Sequence, residues 1–182
     1  MEIVQQEIPE VLLIKPRVIF DYRGFFTETF SIRSFPQEIK FVQDNLSYSY
    51  NGTLRGLHLQ HPNDQGKLVM AITGCIWDVA VDVRIGSPTF GRYCATELNS
   101  QNKYQFYVPP GFAHGFCVLS DSAHVLYKCT NVYEKSCEMS ISFRDPDLNI
   151  PWPIENPLLS SKDSEAPFLK DIKNLPVYKE IF

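Results

Sequence analysis

With 182 residues, 44% of them hydrophobic, and a formal net charge of -4 without any basic run, the chain is sized for one domain with one core over residues 1–182 and is unsuited to a nucleic-acid partner. Residues 1–7 lack the basic start of a signal peptide, and the apolar run 11–14 is far too short to span a bilayer, so no membrane partner is expected and the cytoplasm is the expected location. The five cysteines, Cys75, Cys94, Cys117, Cys129 and Cys137, are odd in number and contain no Cys-x-x-Cys pair; they read as small core residues, not as a disulfide framework or a zinc knuckle.

The 13 phenylalanines, 9 tyrosines and 13 prolines favour strands and turns over long helices. In chain order, strands are predicted at 25–30, 41–50, 56–60, 67–73, 75–83, 93–98, 106–108, 115–119, 125–130 and 139–143. Turn signals such as Asn51-Gly52, Gly86-Ser87-Pro88, Pro110-Gly111 and Asp145-Pro146 separate them, which is the rhythm of an all-β sandwich or barrel. Within 75–83, Cys75, Trp77, Val79, Val81 and Val83 share one face while Asp78 and Asp82 point from the other, so one face is expected to pack in the core. Short helices are expected at 32–35 and near the C-terminus. After Pro146, prolines at 151, 153, 157, 167 and 176 forbid central strands and predict an irregular wrapping tail.

The stretch Leu54-Arg55-Gly56-Leu57-His58-Leu59-Gln60, with Lys67 beyond it, is the most informative. Gly52 leads by five residues to His58 and Lys67 leads by six to Gly74. Pro109, Gly111 and His114 follow with a second characteristic spacing. These segments resemble the two motifs of the cupins, Gly-x5-His-x-His-x3,4-Glu-x6-Gly and Gly-x5-Pro-x-Gly-x2-His-x3-Asn. The second lacks its first and last residues, which are here Lys103 and Val118. The resemblance implies a jelly-roll barrel whose metal ligands are half missing: Gln60 stands at the second histidine and Lys67 at the acidic ligand. Metal sites need neutral imidazoles and carboxylates, and an ammonium group repels the ion. Two histidines and a lysine therefore point to acid-base catalysis, with no metal and no cofactor. No Gly-x-Gly-x-x-Gly or phosphate-loop motif is present.

Further motifs run from Asp21 to Asp163. They include Asp21-Tyr22-Arg23-Gly24-Phe25-Phe26-Thr27-Glu28, Phe41-Val42-Gln43-Asp44-Asn45, Gln65-Gly66-Lys67-Leu68-Val69, Leu126-Tyr127-Lys128-Cys129 and Leu159-Ser160-Ser161-Lys162-Asp163. Together they resemble the dTDP-4-dehydrorhamnose 3,5-epimerases. That resemblance implies an isomerase that moves protons at C3 and C5 of a dTDP-4-keto sugar. His58 is then the base, Asp163 the group that orients it, Lys67 the electrophile beside the ketone oxygen and Tyr127 the acid for the opposite face. It further implies that Arg23, Glu28, Gln43, Asp44, Asn45, Arg55, His114, Tyr133, Glu138 and Lys162 bind the nucleotide sugar together with Lys67. Tyr133 or Phe26 would stack on the base, and the chain would form a homodimer with strands exchanged or shared.

Taken one at a time, these residues have plainer readings: a half-buried histidine, a solvated lysine, a core tyrosine and an aspartate in a surface turn. His61 and His124 read as surface or structural, and Trp77 and Trp152 as packing residues. Two departures from the family pattern, Leu59 in place of an aromatic and Phe143 in place of a tryptophan, are expected to reshape the sugar pocket. Three alternatives stay open: a mono-epimerase on a related 4-keto sugar nucleotide, a metal-dependent cupin oxygenase using His58, His61 or Gln60, and His114, and a non-catalytic binding jelly roll.

Overall fold

Strand alternation dominates the computed structural model, which describes residues 1–36 and 38–179. The strands are β1 (Glu2–Gln5), β2 (Leu12–Lys15), β3 (Val18–Asp21), β4 (Gly24–Thr27), β5 (Gln43–Tyr50), β6 (Leu54–Gln60) and β7 (Lys67–Thr73). They continue as β8 (Cys75–Asp82), β9 (Tyr93–Asn99), β10 (Gln105–Val108), β11 (Phe112–Val118), β12 (Ser122–Cys129) and β13 (Glu138–Ser140). A six-stranded antiparallel sheet has the order β1-β2-β10-β7-β12-β5, a five-stranded one the order β13-β6-β11-β8-β9, and β3 and β4 form a separate hairpin. The two large sheets face each other as a jelly-roll sandwich.

Between them lies a core in which Val69, Ala71, Phe106 and Val125 of the first sheet meet Ile76, Ala80, Phe112 and Phe116 of the second. Each such side chain contributes about 1.5–3 kcal/mol when fully buried, less for alanine. A second core lies on the outer face of the five-stranded sheet, where Leu57, Val79, Val81 and Val83 pack against Ile141, Leu148, Ile150, Leu169 and Leu175 of the tail. Trp77 and Trp152 join it edge to face, with ring centroids 5.3 Å apart.

This double packing corrects the expectation for 75–83. The polar face of β8 does not meet water: Asp78 and Asp82 are both 0% exposed. Asp82 accepts hydrogen bonds from Arg84 Nε at 2.9 Å, Ser87 Oγ at 2.5 Å and Thr89 Oγ1 at 2.6 Å. It anchors the turn that leads to β9. Asp78 has a different role, at the site.

Three further differences have simple causes. The segment predicted as a helix at 32–35 is a turn in which Ser34 and Phe35 both donate to the Ser31 carbonyl at 3.1 Å. The strand predicted at 25–30 is the second arm of the hairpin, and the one predicted at 139–143 stops at Ser140. Strands β1 to β3 have only four residues each, too few to show alternation between Pro9 and Pro16 or beside them. The tail does contain a one-turn helix, α1 (Ser161–Ser164), and a 3₁₀ turn at Leu169–Asp171. Among the described residues no helix is long and apolar enough to cross a membrane.

Candidate active site

His58 is placed by a close strand crossing. Gly56 has φ +115°, and a Cβ there would lie 2.7 Å from both the Gly115 Cα and the His114 carbonyl oxygen. Only glycine lets β6 approach β11 so closely. The pairing slips at this point, between His114 and Phe116 of β11, and beyond it His58 and His114 stand as direct partners. Paired residues point to the same side, so both imidazoles face into the sandwich.

His58 Nε2 lies 2.5 Å from Asp163 Oδ1, with the histidine side chain 27% exposed and the aspartate 4% exposed. Asp163 arrives from the tail on α1, whose N-cap is Ser160. The serine hydroxyl accepts the Asp163 backbone N–H at 3.1 Å and donates to Asp163 Oδ2 at 2.7 Å. Such a cap contributes about 1 kcal/mol and here also aims the carboxylate. Burial alone would raise the Asp163 pKa, but hydrogen bonds from His58 and Ser160 bring it below the ordinary carboxylate value. The carboxylate therefore stays ionised and holds a proton on Nε2, which leaves Nδ1 as the basic nitrogen.

A cavity of about 320 Å³ opens beside His58, lined by Lys67 and Tyr127 from the opposite sheet together with Gln43, Asn45, Tyr133 and Glu138. Lys67, at the start of β7, is partly buried. Burial lowers its pKa, against the raising influence of Cys129, Asp78 and Glu138. Tyr127 is half buried, and burial raises its phenol pKa, so it enters any reaction protonated. A second cavity of about 400 Å³ adjoins His58 and Glu138 and is lined by Arg55, Ser160, Lys162 and Asp163. Arg55 is steadied there by Ser49, whose hydroxyl accepts from Nε at 2.9 Å. Lys162 pairs with Glu138 at 2.6 Å. A depression of about 500 Å³ beside β9, bordered by Glu7, Arg92 and Cys94, holds no such acid-base grouping.

The second histidine is held differently. His114 Nε2 lies 2.8 Å from Asp78 Oδ1, both groups are almost fully enclosed, and Asp78 Oδ2 has no hydrogen-bond partner. Burial pushes His114 down and Asp78 up, each towards its neutral form.

These donors do not fit a metal centre. His114, held by Asp78, and His61, held by Asp64 at 2.6 Å, do not line the cavity that His58 opens into, whereas the Lys67 amine does. The Gln60 side-chain oxygen faces the Glu134 N–H at 2.7 Å. Among the described residues no group of three or more histidine, cysteine, aspartate or glutamate side chains is arranged to hold an ion.

A family model described as dTDP-4-dehydrorhamnose 3,5-epimerase matches residues 5–171. The chain belongs to that family. A dTDP-4-dehydrorhamnose 3,5-epimerase of Shigella flexneri is 50% identical over 168 residues, 90% of this chain and 93% of the relative. The crystal structure of a dTDP-6-deoxy-D-glucose-3,5-epimerase from Legionella pneumophila, in complex with dTDP-4-keto-L-rhamnose, superposes with a TM-score of 0.96 at 46% identity, covering 98% of this chain and 99% of that one. A 3'-monoepimerase from Streptomyces bikiniensis, in complex with dTDP-quinovose, superposes with a TM-score of 0.89 at 36% identity, covering 96% of this chain and 92% of that one.

Against this family's expected site set, the single chain brings together His58, Asp163, Lys67, Tyr127, Gln43, Asn45, Arg55, Tyr133, Glu138 and Lys162 around the two cavities. His114 lies behind them, buried against Asp78. Three residues are placed elsewhere. Arg23 sits at the tip of the β3–β4 hairpin, bound to its own Asp21, and Glu28 accepts a hydrogen bond from Ser34. Asp44 pairs with Lys128 on the outer face, because alternation along β5 turns it away from the cavity that Gln43 and Asn45 line. Gln43 is also less free than expected for reading a base, since its oxygen accepts the Tyr133 N–H at 2.8 Å and its amide donates to Asn45 at 3.0 Å. Phe143 borders neither cavity; its carbonyl accepts Trp152 Nε1–H at 3.0 Å, which corrects its expected part in the sugar pocket. Leu59 does border the first cavity.

Sequence reasoning missed Asp78, Ser160, Gln65 and the engagement of Gln60. For Ser160 a signal was present: Ser160-Ser161-Lys162-Asp163 has a capping serine three residues before an acidic side chain.

Proposed function

We propose that the chain converts dTDP-4-dehydro-6-deoxy-D-glucose into dTDP-4-dehydro-L-rhamnose by inverting C3 and C5, a cytoplasmic step towards surface-polysaccharide precursors. The observation that carries this reading is the origin of the reacting groups. His58 comes from the five-stranded sheet, Tyr127 and Lys67 from the six-stranded sheet, and all three line one cavity. Inversion beside a ketone needs a base on one face of the carbon and an acid on the other.

In this mechanism His58 Nδ1 takes the proton from a carbon next to the C4 ketone, and the electron pair moves to the ketone oxygen. Asp163 stabilises the imidazolium that results. The Lys67 ammonium stabilises the enolate oxygen, an interaction of the kind worth about 3–4 kcal/mol in an enclosed site. Tyr127 then delivers its proton to the opposite face of the carbon. Arg55 and Lys162 supply positive charge for the diphosphate in the adjoining cavity.

Arg23, Glu28 and Phe26 complete the site in this reading as contributions from a second copy in a homodimer. The hairpin that carries Arg23 and Phe26, with Glu28 just past its end, exposes Phe20, Tyr22, Phe25 and Phe26, each at least 57% accessible, more apolar surface than one small hairpin retains in water.

Incubation with substrate in heavy water tests the whole reading. Deuterium is expected at both C3 and C5. Uptake at one carbon would assign the chain to the monoepimerases, and uptake at neither would end the epimerase reading. In Tyr127→Phe, net inversion is expected to fall by about 10²- to 10⁴-fold while His58 still exchanges the proton it removes.

A further inference from the structure

The cupin motif places Gln60 where a metal ligand would stand, and the proposed chemistry gives it no task. Gln60 ends β6 and is 4% exposed. Its Nε2 donates to the carbonyls of Asn63 at 2.6 Å and Val132 at 3.1 Å. Its Oε1 accepts the N–H of Glu134 at 2.7 Å. Two donors and one acceptor fix the amide orientation, because a flipped amide would set its oxygen against two carbonyl oxygens. An imidazole has no such fork.

The partners converge on one segment. Residues 131–134 join β12 to the 3₁₀ turn at Lys135–Cys137. Gln65 Nε2 donates to the Asn131 carbonyl at 2.8 Å, and Gln43 Oε1 accepts the Tyr133 N–H at 2.8 Å. Each of the four residues is thus held through its backbone by a glutamine side chain, and all three glutamines line the cavity beside His58. From that segment the Tyr133 hydroxyl reaches Glu138 at 3.1 Å, and Glu138 in turn holds Lys162. A loop free to move would lose its wall-forming side chain from the cavity. The hydrogen bonds prevent that, and they gain strength from their partly enclosed setting.

We infer that Gln60 is a positioning residue: it fixes segment 131–134 as a rigid wall of the nucleotide-sugar cavity and sets Tyr133 against Glu138. The former metal-ligand position has become a loop clamp. Its consequence is for substrate binding more than for proton transfer, since Gln60 contacts neither His58 nor Tyr127 by a hydrogen bond. The kinetic side of this inference rests on the epimerase reading; its structural side does not.

Gln60→Glu is the sharpest test. It preserves size and the acceptor but loses both donors, and it turns a carboxylate oxygen towards the carbonyls of Asn63 and Val132. KM is expected to rise about tenfold, the equivalent of about 1.4 kcal/mol, while kcat changes by less than about threefold. Backbone amides of 131–134 are expected to exchange with heavy water faster than in the unaltered protein. In a Tyr133→Phe background the same substitution should raise KM much less, because its effect passes through Tyr133. If Gln60→Glu folds poorly, Gln65→Glu removes a donor from the same segment and should give the same pattern with a smaller rise. Unchanged KM with unchanged amide exchange, a loss confined to kcat, or strict additivity with Tyr133→Phe would overturn the inference. If the unaltered protein exchanges no substrate proton, the epimerase reading fails. The inference is then decided by the amide exchange and by calorimetric affinity for dTDP, which Gln60→Glu should weaken.

Discussion

Two histidine–carboxylate pairs, their imidazoles side by side on β6 and β11, are alike in chemistry and opposite in access. In the pair His58–Asp163 the imidazole opens into a cavity and the carboxylate is held below its ordinary pKa. In the pair His114–Asp78 both groups are enclosed, and burial drives both towards neutrality. A general base must accept charge during the reaction, so it needs an ionised partner and a way to its substrate. Only the first pair has both. The second suits a neutral hydrogen-bonding group that keeps its tautomer throughout. A shared pairing of residue types therefore yields two functions once the environments move the pKa values apart.

The comparison can be broken most forcefully at the base. His58→Asn is expected to reduce turnover by about 10³-fold, and Asp163→Asn by a similar order through the wrong tautomer, measured as deuterium uptake and product formation. Asp78→Asn should cost less, about tenfold, because it acts indirectly, through the orientation of His114 and through the charge that favours the Lys67 ammonium. Equal losses in Asp163→Asn and Asp78→Asn would erase the distinction between the pairs.

Stability gives a weaker effect with a defined sign. A carboxyl whose folded pKa is lowered contributes stability above its ordinary value near 3.8 and loses it as pH falls through the folded value. Thermal unfolding of Asp163→Asn should therefore fall below that of the unaltered protein at pH 7, and the gap should close as the pH drops below about 3.8. A gap independent of pH would deny the ionised Asp163. The smallest expected effect belongs to Ser160→Ala, which removes a helix cap worth about 1 kcal/mol and should lower kcat only a few-fold by loosening Asp163. No change in either quantity would mean that the tail aims the carboxylate without its cap.

How much of this was legible in the sequence depended on the kind of signal. Strand 67–73 was predicted to the residue, because a run of seven with apolar residues inside it and Gly74 after it has clear ends. Strands β1 to β3 offered only four residues each. His58, Lys67 and Tyr127 stood in recognisable motifs, and the structure brings them to one cavity. Asp44 was legible in principle, since strand alternation between Gln43 and Asn45 already turns it outward. Asp78 was not: nothing in Trp77-Asp78-Val79 reveals that a tail added seventy residues later covers one face of β8 while the other faces an internal histidine. Contacts made through backbone groups, such as those of Gln60 with Val132 and Glu134, leave no side-chain pattern to read.

The tail that brings Asp163 is fastened on both sides of it, by a parallel bridge of Leu158 to Thr53 and another of Val177 to Ile85. The sandwich core between the sheets includes neither Asp163 nor any other residue of α1. Asp163 is thus brought to the base by docking of the tail on the outer face of the five-stranded sheet, not by the core between the sheets. Catalytic activity therefore reports whether this last segment has docked, and a protease cut within 159–176 is expected to unpair the imidazole while also loosening Leu169 and Leu175 from the outer core.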